Sequence, residues 1–584
     1  MVFGYAFIDL DDDQKRARRA LLDFYPIVAE LSALVVLALF QTSFAISWFV
    51  GKALHQGRPK SPSFDKPSPG QSSWPRRARR FTEGLRWSLR KPVVNNWGTR
   101  GEWVVAAVWT AWLLYLCVVK TGDDYLHLTK RFGIIGASQL PLLYLLAMRS
   151  PYSPMQLLTR MSHEELKASH HILGRIIFAL FSLHTAFYLN FFVQSGFLAK
   201  RIRDRDVIFG LVSIALFSVL STTALGLLRR WNYRVFYISH IALANVLVVP
   251  LFVHVTHIRP YVYQVVGVNA VHLVLRALSR RKYRGTLKPI AGTNLIQVRI
   301  PLSTGNTALN WKPGQHVYLS RPSSKSSSRA VWAELGAWCQ TNPFTVASIP
   351  GRHRELMLVA RTMNGNTKHL ASLARTLSAD GPDEATEIEL CLEGPYGAST
   401  RLPNLLRFDK ILFVAGGVGA TFIMPIYRTV VEANDFKLPG SPKVRFIWAV
   451  RKLAETRWAL SGLRPSHGED EGAVDRANIE VYVTGTQGPD LQVNGVTVDG
   501  DIEMAENEQL LSTEEQTENP HKGLVVHNGR PKLGSIVDEA FAHTSRVAVI
   551  VCGPKTMSEQ LSLAVQKWVR QGHNVYWHDE TFAW

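Results

Sequence analysis

Apolar positions are spread unevenly along the chain. Between residues 27 and 278 stretches of about 20 apolar residues recur, whereas the second half alternates short apolar runs with polar turns. The first pattern predicts membrane-spanning helices at 27–50, 102–120, 132–148, 168–194, 207–228, 235–257 and 261–279. From 286 to 400, runs such as LIQVRI, HVYLS, ELMLVA and EIELCLE, set apart by Gly and Pro, predict an antiparallel barrel. From 410 onward the pattern becomes strand, glycine turn and helix, as in KILFVAGGVGATFIMPIYRTVVE, which predicts a doubly wound nucleotide domain. Two insertions interrupt the second half: SSKSSSR at 323–329 reads as a flexible tract, and about 485–522, rich in Glu, Asp, Gln, Asn and Gly, as a disordered acidic insertion.

The expected organisation is therefore a multi-domain membrane protein. Residues 1–50 form an N-terminal tail and first helix, 51–100 a basic loop, and 101–280 an all-α bundle of six core helices. A soluble module follows, with a β-barrel over 281–405 and an α/β domain over 406–584. At 584 residues the chain exceeds what one core can organise. The opening polar run DLDDDQKRARR does not read as a cleavable signal peptide, so the first span is expected to direct insertion.

Charge changes the picture only in its placement. The net charge of +20 is concentrated in loops beside apolar spans, at 52–100 and 279–288, where membrane topology accounts for it and nucleic-acid binding is not needed. Basic loops mark the cytosolic side, which puts the N-terminus outside and the soluble module inside. The loop AKRIRDRD would face outward despite Lys200, Arg201, Arg203 and Arg205; it reads either as a solvated loop interleaved with Asp204 and Asp206 or as a patch for anionic electron acceptors. Cys117, Cys339, Cys391 and Cys552 fit neither a disulfide framework nor a zinc spacing.

The strongest chemical signal is a repeated histidine spacing. His170 and His184 lie fourteen residues apart in one span, as do His240 and His254 in another. Fourteen residues fall within roughly 40° of whole turns and cover about 21 Å, so each helix shows both imidazoles on one face. Two such helices side by side present two opposed pairs at two depths, each suited to clamp a haem iron. A lone membrane histidine is as often a helix-to-helix hydrogen bonder as a functional group, but two pairs at one spacing favour ligation. His171 and His257 are rival ligands beside His170 and His254; Gly174 would let a flat macrocycle approach, and His272, without a partner at this spacing, reads as structural.

The segments SHHILGRIIFALFSLHTAFY and RRWNYRVFYISHIALANVLVVPLFVH resemble the paired haem helices of the ferric reductase and NADPH oxidase superfamily, especially its short fungal ferric-chelate reductase-like members. The similarity runs from about residue 100 to the C-terminus. It implies a ferredoxin-reductase-like module, FAD, NADPH and two haems b, with His170 and His240 on the inner haem and His184 and His254 on the outer one. NPFTVAS resembles the family's flavin signature, which implies FAD contacts from Pro343, Phe344, Thr345 and Ser348, although Asn342 stands where a histidine is usual. Thr367 near a helix start could bring backbone N–H groups to an FAD phosphate, and EGPYG resembles the turn between the two soluble lobes.

Gly416, Gly417, Gly419, Ala420 and Thr421 follow a strand and precede a helix, the context of a phosphate-cradling turn, and match the family's nicotinamide-nucleotide loop. Arg451 and Lys452 end the next strand, where they would meet a 2′-phosphate and favour NADPH; the alternative is two solvated charges. VIVCGP resembles the nicotinamide turn, placing Cys552, Gly553 and Pro554 beside the hydride path, with a small buried thiol as the alternative for Cys552. The tail HDETFAW is similar to family tails whose aromatic covers the flavin, implying Phe582, then Trp584.

The resemblance implies electron transfer from NADPH through FAD and haem to ferric or cupric chelates, in the plasma membrane or endoplasmic reticulum. Molecular oxygen is the rival acceptor, but Tyr188 stands where the oxidases carry a further histidine. A non-catalytic membrane scaffold is the third reading.

Overall fold

The computed structural model describes residues 4–56, 74–93, 98–302, 309–320, 341–349, 355–363, 366–379, 387–397, 402–433, 441–460, 478–485, 525–542, 544 and 546–580. The tract 323–329, the tail residues Phe582 and Trp584, and all of 485–522 beyond Gly485 lie outside the described residues.

The N-terminal half is helical: α1 Asp12–Gln56, α2 Trp74–Arg90, α3 Arg100–Val118, α4 Tyr125–Ser138, α5 Leu140–Leu146, α6 Pro154–Thr159, α7 His163–Gln194, α8 Leu198–Arg201, α9 Arg205–Thr223, α10 Gly226–Trp231, α11 Tyr233–Val246, α12 Val248–His254 and α13 Arg259–Ser279. Local chemistry starts the principal helices. Thr99 with Glu102 and Ser162 with Glu165 form reciprocal caps at α3 and α7, and the Asp124 carboxylate accepts the Leu126 and His127 N–H groups at α4. Among the described residues six stretches are long and apolar enough to cross a membrane: within α1, α3, α7, α9, the α11–α12 pair and α13. Their outward faces carry Val104, Val105, Val108, Ile208, Val212, Val219, Val266 and Val274, all exposed, as lipid contact requires.

The span expected at 132–148 is instead two short helices, α4 and α5, joined at Gln139 with Pro141 in the first turn of the second. Proline lacks the N–H that would continue the ladder, so the helix restarts there. This pair is the centre of the bundle, with Ala137, Leu140 and Leu143 buried among α7, α9 and α13, and Phe132 and Ile135 among α1, α3 and α7.

The last helix runs into the first strand without a linker, since α13 ends at Ser279 and β1 begins at Arg280. Strands β1 Arg280–Pro289, β2 Leu295–Pro301, β3 His316–Ser320, β4 Asn342–Thr345, β5 Glu355–Arg361 and β6 Ile388–Tyr396 form an antiparallel sheet in the order β4-β3-β6-β1-β2-β5. A bridge between Val346 and Leu358 brings its edges together, closing the barrel around Val298, Val317, Leu356 and Leu390.

The C-terminal sheet is parallel throughout, with strands β7 Lys410–Gly416, β8 Lys443–Val450, β9 Ile479–Val483, β10 Val525–Asn528, β11 Arg546–Cys552 and β12 Asn574–Glu580 in the order β10-β9-β8-β7-β11-β12. Helix Ala420–Ala433 packs Phe422 and Tyr427 against one face, while Leu533–Phe541 and Lys555–Gln571 pack Val537 and Leu561 against the other. Strand order reverses between β7 and β11, which opens a crevice beyond their carboxyl ends.

Candidate functional site

Helix α7 presents His170 and His184, and the α11–α12 pair presents His240 and His254, so that the rings meet across the bundle. Ring centres lie 6.3 Å apart for His170 and His240 and 6.4 Å apart for His184 and His254. An imidazole nitrogen binds a metal at about 2.0–2.1 Å, which puts two rings on opposite sides of one ion ~6 Å apart, and both pairs have that separation. Backbone carbonyls orient three of the rings: Nδ1 lies 3.0 Å from the Leu143 carbonyl in His170, 2.8 Å from that of Thr129 in His184, and 2.6 Å from that of Asp206 in His254. Each carbonyl accepts a hydrogen bond from Nδ1–H, which leaves Nε2 with its lone pair free to donate. The His240 Nδ1 is buried without a hydrogen-bond partner. His171 and His257 are exposed, and the cross-helix pairs use His170 and His254.

Two glycines that the sequence did not flag make room for the far pair. A Cβ on Gly133 would stand 2.7 Å from the His184 ring, and one on Gly210 would stand 2.6 Å from that of His254. At Gly174 an added Cβ would meet only Leu143, at an ordinary 3.7 Å. Tyr188 lies edge-on to His184, centroids 5.0 Å apart, and in the adjoining loop Arg201 pairs with Asp204 and, at 3.9 Å, Asp206.

At the other end the bundle meets the barrel. Glu164 Oε1, in the first turn of α7, lies 3.3 Å from His316 Nε2 on β3, and His316 is paired in register with Thr345 on β4. Glu164 precedes His170 by six residues, about 9 Å of helix, so the NPFT strand reaches the bundle close below the His170–His240 pair. Beside it, Glu393 of EGPYG is gripped by Arg149 and Arg276 and receives the Tyr396 hydroxyl at 2.8 Å. Burial would raise the Glu393 pKa, but the two guanidiniums and the tyrosine carry it below its ordinary value. His272 has a partner here after all: its Nε2 accepts the Arg149 backbone N–H at 3.2 Å.

Of the residues expected at the flavin, Pro343 and Phe344 are half-buried on β4 and Thr345 is buried. The Ser348 hydroxyl accepts the Met357 N–H at 3.0 Å, holding the barrel closure. Thr367 is the second residue of helix Asn366–Ala379, and its hydroxyl accepts the Met363 N–H at 2.9 Å, leaving the helix N-terminus rather than this hydroxyl to meet an anion.

The two glycine turns expected at the nucleotide come together at the crevice. A Cβ on Gly419 would fall 2.1 Å from the Cys552 carbonyl oxygen, and one on Gly416 would fall 2.5 Å from Pro554 Cδ. Gly417 has φ +54° with open space beside it, a conformation that side chains resist, and its carbonyl accepts the Trp448 indole N–H at 3.0 Å. Ala420 and Thr421 begin the following helix, directly after the glycine turn, and the Ala420 N–H bonds back to the Gly417 carbonyl. Gly553 abuts Gly416, and Arg451 and Lys452 are exposed just past β8. Cys552 is buried, and desolvation, with Glu580 and Asp579, raises its thiol pKa well above the ordinary value.

Three families match in this order along the chain: the ferric reductase like transmembrane component at 132–251, an FAD-binding domain at 284–400, and the ferric reductase NAD binding domain at 408–566. The chain is 22% identical over 445 residues to ferric/cupric reductase transmembrane component 2 of Saccharomyces cerevisiae, covering 73% of this chain and 57% of that one. It is 27% identical to that yeast's ferric reductase transmembrane component 4, covering 73% and 58%. A probable metalloreductase AIM14 of Meyerozyma guilliermondii is 26% identical, with 78% and 83% covered. The chain thus spans under two thirds of the two yeast reductases. With helices able to cross a membrane followed by FAD-binding and NAD-binding domains, the chain is an integral membrane protein that carries, in order, a ferric reductase like transmembrane component, an FAD-binding domain and a ferric reductase NAD binding domain.

Proposed function

We propose that this protein takes hydride from NADPH on the cytosolic side and delivers single electrons to ferric or cupric chelates on the other side of the membrane. The observation that carries the reading is the pair of cross-helix histidine contacts, 6.3 and 6.4 Å between centroids, at two depths of one bundle. His170 with His240 would hold an inner haem b and His184 with His254 an outer one. FAD, when bound, would split the two-electron donor into single electrons, and the haem irons would pass them through the hydrocarbon.

The chain's own residues position these groups. Backbone carbonyls of Leu143, Thr129 and Asp206 keep three imidazoles oriented, and the two glycine turns with the adjacent helix N-terminus receive the dinucleotide phosphates. Thr345 with Pro343 and Phe344 lines the flavin side, and Arg451 takes the 2′-phosphate. Tyr188 beside His184, in place of a further histidine, supports metal chelates over oxygen, and Arg201 at the same end suits anionic chelates.

Purified protein given NADPH without oxygen should reduce Fe(III) chelate and show a reduced low-spin b-type haem spectrum, both lost stepwise as the four histidines are replaced. Superoxide release without anaerobic iron reduction would make it an oxidase, and absence of the haem spectrum would leave a scaffold.

A further inference from the structure

The connection between the first and second spans contains a helix with two unlike faces. The sequence of α2, WPRRARRFTEGLRWSLR, carries six arginines and one glutamate. Phe81 and Leu85, one turn apart, are 71% and 48% exposed. Trp87, about 200° around the helix from Leu85, is 8% exposed and packs edge-on against Trp577 of β12, centroids 5.6 Å apart, within the core of the α/β domain. Lys91 extends the contact by donating to Gln566 at 3.0 Å.

This helix also adjoins the membrane. Arg100, which opens α3, donates its N–H to the Lys91 carbonyl at 2.9 Å, and a Cβ on Gly101 would lie 3.3 Å from the Leu89 carbonyl. The C-terminal end of α2 therefore sits where the α3 span begins. A strongly basic helix with an exposed Phe–Leu face at the end of a span has the composition of one that lies in the headgroup layer, apolar face down and cations among anionic lipids.

We propose that α2 is a surface-seated strap: Phe81 and Leu85 enter the bilayer on the side that carries the α/β domain, its arginines bind anionic phospholipid headgroups, and Trp87 holds that domain from the opposite face. The test uses full-length protein in vesicles containing brominated-acyl lipid, made either of phosphatidylcholine alone or with about 30% phosphatidylserine. An environment-sensitive fluorophore is placed on Leu85→Cys in a Cys339→Ser background, since Cys117, Cys391 and Cys552 are buried. The same label on Glu83→Cys, on the other side of the helix, is the control for a label-induced change. The expected result is loss of about half the fluorescence at position 85 in the phosphatidylserine vesicles, clearly less in phosphatidylcholine, and little at position 83. Equal quenching at 83 and 85, or quenching at 85 that ignores phosphatidylserine, overturns the proposal.

Discussion

Arg149 and Glu393, 244 residues apart in sequence, form a two-point contact that joins the helical bundle to the barrel: Nε to Oε1 at 3.1 Å and Nη2 to Oε2 at 3.0 Å. Both side chains are less than one tenth exposed. Arg149 also lies over the Tyr318 ring at 4.2 Å and donates to Thr341, so it touches the two strands that lead to Thr345. Arg276, near the end of α13, shares the carboxylate. The flavin-side strands are thereby located relative to α7 and its histidines.

Replacing Glu393 with Gln should loosen this joint. Removing one partner of a buried pair costs ~3–5 kcal/mol, and here two guanidiniums would lose their counter-ion. A lower melting temperature in detergent is expected, together with slowed haem reduction after NADPH addition while flavin reduction stays near normal. The sign of the pH dependence follows from the depressed Glu393 pKa. Its stabilisation is present above the unfolded value of about 4.3 and is lost as pH falls through the lower folded value. Wild-type melting temperature should fall on acidification below about pH 4, and the Gln variant should lack that component.

Gly133→Ala and Gly210→Ala should each damage the far histidine pair selectively. The added methyl would stand 2.7 Å from the His184 ring or 2.6 Å from that of His254, and neither backbone can retreat without moving its helix against the bundle. About half of the b-type haem absorbance should disappear, because only one of two sites is disturbed. Full haem content in both variants would show that these rings are not ligands.

The fourteen-residue histidine spacing was legible because it depends only on the helical repeat, within α7 for one pair and along α11 and α12, parted only at Leu247, for the other. The α4–α5 break was not, since the apolar run continues through Gln139 and Pro141 and shows its interruption only as one proline. Gly133 and Gly210 were illegible for a different reason: each is needed by a histidine 51 or 44 residues away, and nothing local marks that encounter. Thr345 stood out through its motif, yet His316 and Glu164, which bring its strand to α7, have ordinary surroundings in sequence. In α2 the signal was present, with Phe81, Leu85 and Trp87 set among arginines, but an explanation of the charge by topology hid the helix.

At the nucleotide crevice, Gly419→Ala places a methyl 2.1 Å from the Cys552 carbonyl oxygen, so the turn after β7 and the turn after β11 must separate. A displacement near 1 Å at a reacting site can lower rate by about 10²-fold. NADPH-driven flavin reduction should fall on that scale, while dithionite still reduces the haems normally. If the variant also loses its haem spectrum, the damage reaches beyond the crevice and the glycine is a folding residue.

Arg451 offers the sharpest test of nucleotide choice. It follows β8 immediately, beside the strand that carries the glycine turn, and Trp448 of β8 holds that turn through the Gly417 carbonyl. An exposed guanidinium at this edge can meet a 2′-phosphate with paired N–H donors, and a hydrogen bond between charged groups contributes about 1.5–3 kcal/mol. Arg451→Ala should therefore raise KM for NADPH by roughly 10-fold or more, leave kcat within about twofold, and barely change KM for NADH. Arg451→Lys should recover part of the loss, since a point charge keeps the attraction without the fork. Equal effects on the two nucleotides would mean that this arginine is a solvated surface charge, and the preference for the phosphorylated cofactor would have to come from another residue.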